Sequence, residues 1–229
     1  MINLHGYGPN ILQGTLLTLE LCLASLVIAV LLGMVTAMAK LSGSRAMNLV
    51  AQAYTTVIRG IPDLVLMLII FFGGQIFVNQ MAAKVGYEGY IDINPFTAGV
   101  CTIGFIFGAY MAETFRGAIL AVPRGQLEAG QAYGMSRFMI FRRILLPQMV
   151  RHAIPGFGNN WLVLMKTTAL VSVIGLNDMV RMAGMAAGAT REPFTFYLVV
   201  AFNYLVFTSV SIWILNTLNK KYSMGTTRN

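Results

Sequence analysis

The chain has 229 residues, of which 57% are hydrophobic and only 10% are charged. A soluble domain usually carries about 25% charged residues, so the composition excludes an ordinary soluble enzyme and indicates an integral membrane protein. The net charge of +8 would suit nucleic acid, but the positive residues lie beside the ends of apolar segments, where they report topology. We therefore expect a lipid bilayer around the chain and no nucleic-acid partner.

Apolar runs long enough to cross a bilayer, about 18 to 20 residues, recur along the chain. The first, residues 11–39, is longer than the 7 to 15 or so residues of a secretory signal and is expected to be a retained span. After it, Gly60 and Pro62 should kink or restart the helix. The other predicted spans are residues 62–81, 96–120, 154–176 and 193–219. The sequence thus predicts an all-α membrane protein with about five transmembrane helices in a single domain, residues 11–219.

A polar, arginine-rich segment, residues 121–151, separates the third and fourth spans. Glu128 begins a helix-compatible run, Gly134 interrupts it, and a second run ends at Pro147, which predicts a helix, a glycine break and another helix. The small residues here would let a partner protein approach the backbone closely; they are Ala129, Gly130, Ala132 and Gly134. A later polar segment, residues 177–192, could form a short helix or a re-entrant turn.

Lysine and arginine are distributed unevenly between the polar segments. Twelve lie in residues 40–59, 116–151 and 220–228, and three lie in residues 84–95 and 178–192. Because cytoplasmic segments carry the excess of positive charge, residues 121–151 are expected in the cytoplasm. The N-terminus is then outside the cell membrane and the C-terminus is cytoplasmic.

Lys166 lies near the middle of the span 154–176, where a charge costs a few kcal/mol unless it faces protein or water. Asn159, seven residues earlier, shares its helical face. Thr167, Thr168 and Ser172 add hydroxyl groups, so a polar patch inside the bundle is predicted. Two interpretations stay open: a group on a transport path, or a structural lysine that bonds backbone carbonyls or pairs with Glu20.

Two further carboxylates are candidates for the transport path. Asp63 begins a span, where it would either cap the helix N-terminus as a partner of Arg59 or line a cavity that favours a cationic substrate. Glu113 and Arg116 are three residues apart, the spacing of an intrahelical ion pair, with a gate or pore role as the alternative.

The sequence offers no catalytic or metal-binding pattern. Cys22 and Cys101 lie in apolar segments and are expected to be reduced, packed thiols. His5 and His152 have no acidic neighbour in sequence, and no Ser/His/Asp set, phosphate-binding glycine loop or HExxH motif occurs. We therefore expect neither an enzyme nor a metal or cofactor site, and no ATP hydrolysis by this chain.

The arginine-rich segment resembles the EAA loop of ABC-importer permeases. The matching pattern is Glu128-Ala129-Gly130, three residues, Gly134, nine residues, Ile144, one residue, and Leu146-Pro147. The family pattern has alanine at the position of Gly130. Residues 59–64, 108–117 and 166–172 resemble the polar amino-acid uptake branch of this family, and within it the Q-type permease subunits of histidine and lysine/arginine/ornithine importers.

This resemblance implies a type I ABC importer permease in a bacterial inner membrane. It implies pairing with a second, different permease chain, delivery of substrate by a periplasmic amino-acid-binding protein, and two cytoplasmic ATPase subunits that bind the ATP. The residues implied to contact an ATPase are Glu128, Ala129, Gly130, Ala132, Tyr133, Gly134 and Pro147. Many relatives have an aliphatic residue in place of Asp63 and an acid in place of Thr167, which fits a site whose negative charge has moved to the second span.

The implied substrate is arginine, histidine, lysine or ornithine. Three alternatives remain: a permease for neutral or acidic amino acids such as glutamine, a carrier or channel that works without ATP, and a membrane scaffold whose arginine-rich loop recruits a soluble partner. The predicted spans show no internal repeat and no acidic proton relay, which disfavours a secondary carrier.

Overall fold

Helices make up most of residues 4–223, the part of the chain that the computed structural model describes. In chain order they are α1 (Gly8–Leu41), α2 (Arg45–Gly60), α3 (Asp63–Lys84), α4 (Pro95–Leu120), α5 (Arg124–Ala132), α6 (Arg137–Ile140), α7 (Leu146–Thr167), α8 (Met179–Thr190) and α9 (Pro193–Ser223). A π-helical turn, Phe141–Leu145, joins α6 to α7, and a 3-10 segment, Thr168–Ile174, follows α7. The prediction of an all-α protein is confirmed, since the described range contains no strand.

Four helices, α1, α3, α4 and α9, are long and apolar enough to cross a membrane. The segment Arg137–Ile174 and α8 meet at an angle of 53°, and this bent pair is a fifth crossing if it is counted as one span. The prediction of about five spans is therefore confirmed, although span 154–176 is divided between α7, the 3-10 segment and the loop that follows. Arg228, which entered the charge count for the C-terminus, lies outside the described residues.

Helix α4 lies at the centre of the bundle, and α1 packs along it. Glycines allow this close approach: a β-carbon on Gly33 would lie 2.5 Å from Cβ of Met111, and one on Gly104 would lie 2.6 Å from Cβ of Ile28. Membrane helices approach closely where one of them presents small residues, because lipid supplies little hydrophobic drive for association. The α1–α4 contact is therefore fixed by these glycines.

The polar segment 177–192 forms the short helix α8, one of its two predicted alternatives. Asp178 caps α8, since its side chain accepts a hydrogen bond from the backbone N–H of Arg181 at 3.0 Å. A second, smaller core then forms where α8 meets α1 and α9, around Ile11, Met179 and Phe196. This core connects the beginning of the first span to the beginning of the last.

Helix α2 is an element of its own between α1 and α3. It ends at Gly60, and α3 begins at Asp63 after Pro62, so the predicted break is confirmed. The side chain of Asn48 donates a hydrogen bond to the carbonyl oxygen of Lys40 at 2.6 Å, and the hydroxyl of Tyr54 donates to the carbonyl oxygen of Phe105. These bonds hold α2 against α1 and α4.

Two predictions about single residues need correction. The second helical run was expected to end at Pro147, but this proline lies in the first turn of α7 and the chain continues as helix. The wider π-helical turn before it accommodates a ring that lacks an N–H donor. Both cysteines are free thiols, as expected, but only Cys22 is packed, because Cys101 is exposed.

Candidate functional site

The loop between α4 and α7 contains a short exposed helix, α5, that ends in a defined cap. Gly134 has a φ of +73°, a left-handed conformation that glycine adopts without strain. The N–H of Met135 bonds to the carbonyl of Gly130 at 3.0 Å, and the N–H of Gly134 bonds to that of Gln131 at 2.9 Å. This pair of bonds is a Schellman motif. The role of Gly134 is therefore to terminate α5 and turn the chain.

Gly130 contacts its own chain. The small residues of this loop were expected to face a partner protein, and for Gly130 that expectation needs correction. It is buried, and a β-carbon there would lie 2.8 Å from Cδ1 of Ile144 and 3.1 Å from Cγ1 of Ile140. Helix α5 thus lies directly on the π-helical turn and the helix before it. The match between Gly130 and these isoleucines explains how glycine fits where the family pattern has alanine.

The outer surface of α5 is open to solvent. Glu128, Ala129 and Ala132 are exposed, and Tyr133 directly after the helix is 88% exposed. Phe138, one turn of chain further on, is 71% exposed. Small residues beside protruding aromatic rings are typical of a surface that binds another protein. We name α5 together with Tyr133 and Phe138 the coupling surface.

The coupling surface is joined to the membrane helix α7. The side chain of Gln148, in the first turn of α7, donates a hydrogen bond to the side chain of Gln126 in α5. Together with the packing of Gly130 on Ile140 and Ile144, this bond holds α5 against the base of α7. The short helix is therefore in direct contact with the helix that carries Lys166.

The predicted polar patch on α7 is divided between two environments. Lys166 and Asn159 are exposed on the surface of the single chain, and the described residues form no ion pair with Lys166. Thr168 instead is fully buried and bonds to the carbonyl of Met165 at 2.7 Å, beside the Cys22 thiol at 3.8 Å. Thr168 is thus a packing residue in this chain, in a different environment from the exposed Lys166.

The other hydroxyls near Lys166 bond to their own backbone. Thr167 donates to the carbonyl of Val163 at 3.1 Å, and Ser172 donates to that of Ala169 at 2.8 Å. Glu20 is exposed and forms no ion pair with Lys166, so that alternative is wrong for the described chain. Lys166 and Glu20 are therefore charges that a partner or water must cover.

Asp63 lies at the break between α2 and α3. It is the first residue of α3, where the helix dipole favours a carboxylate. The expected pairing with Arg59 is wrong: no described ion pair joins them, and the Arg59 guanidinium lies over the Tyr110 ring, 5.5 Å from its centroid. Asp63 thus remains half-buried and available to a cationic group.

Glu113 holds two helices together at one end of the bundle. Its Oε2 accepts from Nε of Arg116 at 3.0 Å, which confirms the predicted ion pair, and its Oε1 accepts from Nζ of Lys40. The Lys40 side chain is only 8% exposed. Since both carboxylate oxygens are occupied, the geometry favours a structural tie between α1 and α4 over a place on the transport path.

Sequence reasoning missed two polar contacts outside the spans. His5 pairs with Glu192, with 3.4 Å between Nε2 and Oε1, although the two are far apart in sequence. Asp178 is fully buried as the cap of α8. An aspartate directly before a run of helix-forming residues is a recognisable capping signal, whereas no local pattern announces the pairing of His5.

A bundle of apolar helices, a charged break between two of them and an exposed short helix packed on one span are features of a multi-pass membrane transport subunit. Residues 29–224 match the family model described as "Binding-protein-dependent transport system inner membrane component". The chain belongs to this family. It is an inner-membrane component of an ABC transporter. Its relatives are permease subunits and not catalytic subunits.

Curated relatives match nearly the whole chain. It is 52% identical over 225 residues to the histidine/lysine/arginine/ornithine transport system permease protein HisQ of Escherichia coli, covering 98% of each chain. It is 42% identical to the octopine transport system permease protein OccQ of Rhizobium radiobacter, over 90% of this chain and 87% of the relative. The arginine ABC transporter permease protein ArtQ of Escherichia coli is 38% identical, with coverages of 89% and 90%.

Solved structures support the same fold. The structure of "an amino acid ABC transporter with histidines" superposes with a TM-score of 0.79 at 34% identity, over 94% of this chain and 95% of that one. The MetNI methionine ABC transporter superposes with a TM-score of 0.72 at 17% identity, over 93% and 96%, which concerns the fold alone. The chain therefore has the type I ABC importer permease fold.

Proposed function

We propose that this chain is one permease subunit of an ATP-driven importer that moves basic amino acids, namely arginine, histidine, lysine or ornithine, from periplasm to cytoplasm. The observation that carries the substrate class is 52% identity, over 98% of both chains, to a permease named for those four amino acids. Asp63 supports it chemically, because a half-buried carboxylate without an ion-pair partner among the described residues favours a cationic substrate.

In this proposal Asp63 and Lys166 line the substrate path, with Thr167 and Ser172 beside them. Asp63 attracts the cationic side chain, while Lys166 is suited to the substrate carboxylate, so the two charges would orient an amino acid. Glu113 is placed outside the path because both of its carboxylate oxygens have charged partners within the chain. Thr168 is placed outside it because its side chain is fully buried beside Cys22. The exposure of Lys166 implies that the path closes only when a second subunit covers it.

The proposed partners follow from the two exposed surfaces. A second, different permease covers the face that carries Lys166 and Glu20, and two cytoplasmic ATPase subunits bind the ATP. One of them receives the coupling surface, with Glu128, Ala129, Ala132 and Tyr133 in contact and Gly130, Gly134 and Pro147 shaping the helix. A periplasmic amino-acid-binding protein delivers the substrate, and the chain itself needs no cofactor. The N-terminus is placed in the periplasm and the C-terminus in the cytoplasm.

Transport would then proceed by alternating access. Closure of the ATPase dimer on ATP displaces α5, and the contacts of Gly130 and Gln126 pass this displacement to α7. Such a link is required because ATP bound outside the membrane must bias two global states of the pore. The described tie between Lys40, Glu113 and Arg116 keeps α1 and α4 together during the movement.

Uptake in proteoliposomes tests the proposal. The complete complex, with binding protein, should accumulate labelled arginine or histidine only when ATP is enclosed with the ATPase subunits. Import without ATP would favour a carrier or channel, and no flux at all in the complete complex would favour a scaffold. Glutamine uptake that equals arginine uptake would overturn the basic substrate class and leave the importer mechanism intact.

A further inference from the structure

An apolar groove opens on the side of the bundle between α1, α4, α7 and α9. Its volume of about 360 Å³ lies within the range of about 300 to 1,000 Å³ that is usual for ligand pockets. Its walls come from Val30 and Met34 of α1, Phe115 of α4, residues from Leu146 to Phe157 of α7, and residues from Leu215 to Tyr222 of α9. Apart from the Tyr222 hydroxyl, the lining side chains are hydrocarbon or thioether.

The groove has the length of one membrane leaflet. Along α7 it extends from Leu146 to Phe157, about 16 Å at the usual rise of a helix. Half of a hydrocarbon core of about 30 Å is nearly the same length. An extended acyl chain therefore fits the groove from the membrane surface to the bilayer centre.

The outer edge of the groove continues into a hydrocarbon surface. On the neighbouring face of α1, Val27, Leu31, Val35 and Met38 are each more than half exposed. These four side chains carry no group that needs a polar partner, so this part of α1 is suited to lipid tails. Glu20, which the proposed second permease covers, lies seven residues before Val27, towards the N-terminal end of α1 and away from the groove. The groove is thus open towards the hydrocarbon beside residues 27–38.

Positive charges lie at the end of the groove near the coupling surface. Lys221 precedes Tyr222 in the last turn of α9, and Arg142 and Arg143 lie one turn before Leu146; all three are exposed. The positive-inside distribution puts this end at the cytoplasmic surface, where anionic lipids are concentrated. Charge complementarity therefore selects an anionic headgroup over a neutral one.

We propose that this groove is a binding site for one anionic phospholipid of the cytoplasmic leaflet. One acyl chain occupies the groove between α1, α7 and α9, and the phosphate contacts Lys221 and the arginines at the start of α7. Because the site touches α7 directly beside Gln148, the bound lipid would support the base of the helix that the coupling surface moves. This inference does not depend on which amino acid is transported.

Lipid retention by the purified, assembled transporter provides the test. The complex is exchanged through detergent with phosphatidylglycerol or phosphatidylcholine, and the lipid that stays bound is measured by native mass spectrometry. Val30→Phe fills the groove and should abolish tight retention, whereas Val27→Phe, the same exchange on the adjacent exposed face, should retain lipid as the unmodified complex does. Lys221→Gln should weaken the binding of phosphatidylglycerol about fivefold, which is the effect of one lysine near an anionic surface. Lys84→Gln is the control and should leave this binding unchanged.

Two outcomes would overturn the site. Equal retention of the two lipids, or equal retention by Val30→Phe and Val27→Phe, would mean an unspecific annular layer. A photo-crosslinking residue at Leu218, which is 40% exposed in the groove, separates lipid from protein as the occupant. Crosslinks to phospholipid support the proposal, and crosslinks to the second permease or to the chain's own polar tail, residues 224–229, refute it.

Discussion

Replacement of Gly134 by valine tests whether transport requires the left-handed backbone conformation at this residue or only the absence of a large side chain. A β-carbon at Gly134 would meet no atom within 4 Å, so the substitution causes no clash in the chain. Its cost comes from the φ of +73°, which an ordinary L-residue adopts at about 1–2 kcal/mol and a β-branched residue at more. A penalty of that size changes the equilibrium between capped and frayed α5 by a factor of about 5–30.

The assay compares Gly134→Val with Gly134→Asn, since asparagine adopts the left-handed conformation more readily. We expect the valine variant to insert normally but to lose about tenfold in ATP-driven uptake, with ATPase stimulation by the binding protein reduced in parallel. The asparagine variant should keep most of both. If the two variants are equally impaired, the partner needs a small residue at this position and the capping argument fails; if valine has no effect, the docking of α5 is refuted.

Three further predictions concern the bundle. Asp63→Asn should reduce uptake of arginine much more than uptake of glutamine by the same complex, and an equal reduction would remove the charge-selection argument. Lys40→Met should lower the stability of the assembled complex by about 1–3 kcal/mol, because Glu113 loses a nearly buried charged partner. Arg116→Met removes the partner in a more exposed pair and should cost about 0–1 kcal/mol. If Arg116→Met lowers the thermal unfolding temperature more than Lys40→Met does, Lys40 is not the stronger partner of Glu113. Gly33→Ala should cost about 1–3 kcal/mol by overpacking the α1–α4 contact, and an unchanged melting temperature would show that the helices separate freely there.

Glu113 and Lys166 differ in whether their charges have ion-pair partners among the described residues. Glu113 uses both carboxylate oxygens on Lys40 and Arg116, so its charge is satisfied within the subunit. Lys166 and Glu20 lie on exposed surfaces in spans, where an unpartnered charge is costly. In the proposed assembly a second subunit covers these two charges, so substitution of either should be measured in the complete complex.

The sequence by itself determined the class of the protein and most of its spans. Long apolar runs, a break at Gly60 and Pro62, and an interruption at Gly134 are local features, because chain length across a bilayer and backbone preferences of glycine and proline act over a few residues. The Glu113–Arg116 pair was also predictable, since three residues along a helix bring two side chains together.

Only the tertiary structure decided which polar groups are used within the chain. Thr168 belongs by spacing to the patch of Lys166, yet the 3-10 segment turns it towards Cys22. Gly130 belongs by pattern to a partner-binding surface, yet Ile140 and Ile144 occupy the space beside it. The ion pair between Lys40 and Glu113 joins two residues that are 73 positions apart in sequence. Contacts between distant helices depend on how the helices rotate and cross, and no local pattern in the sequence encodes that arrangement.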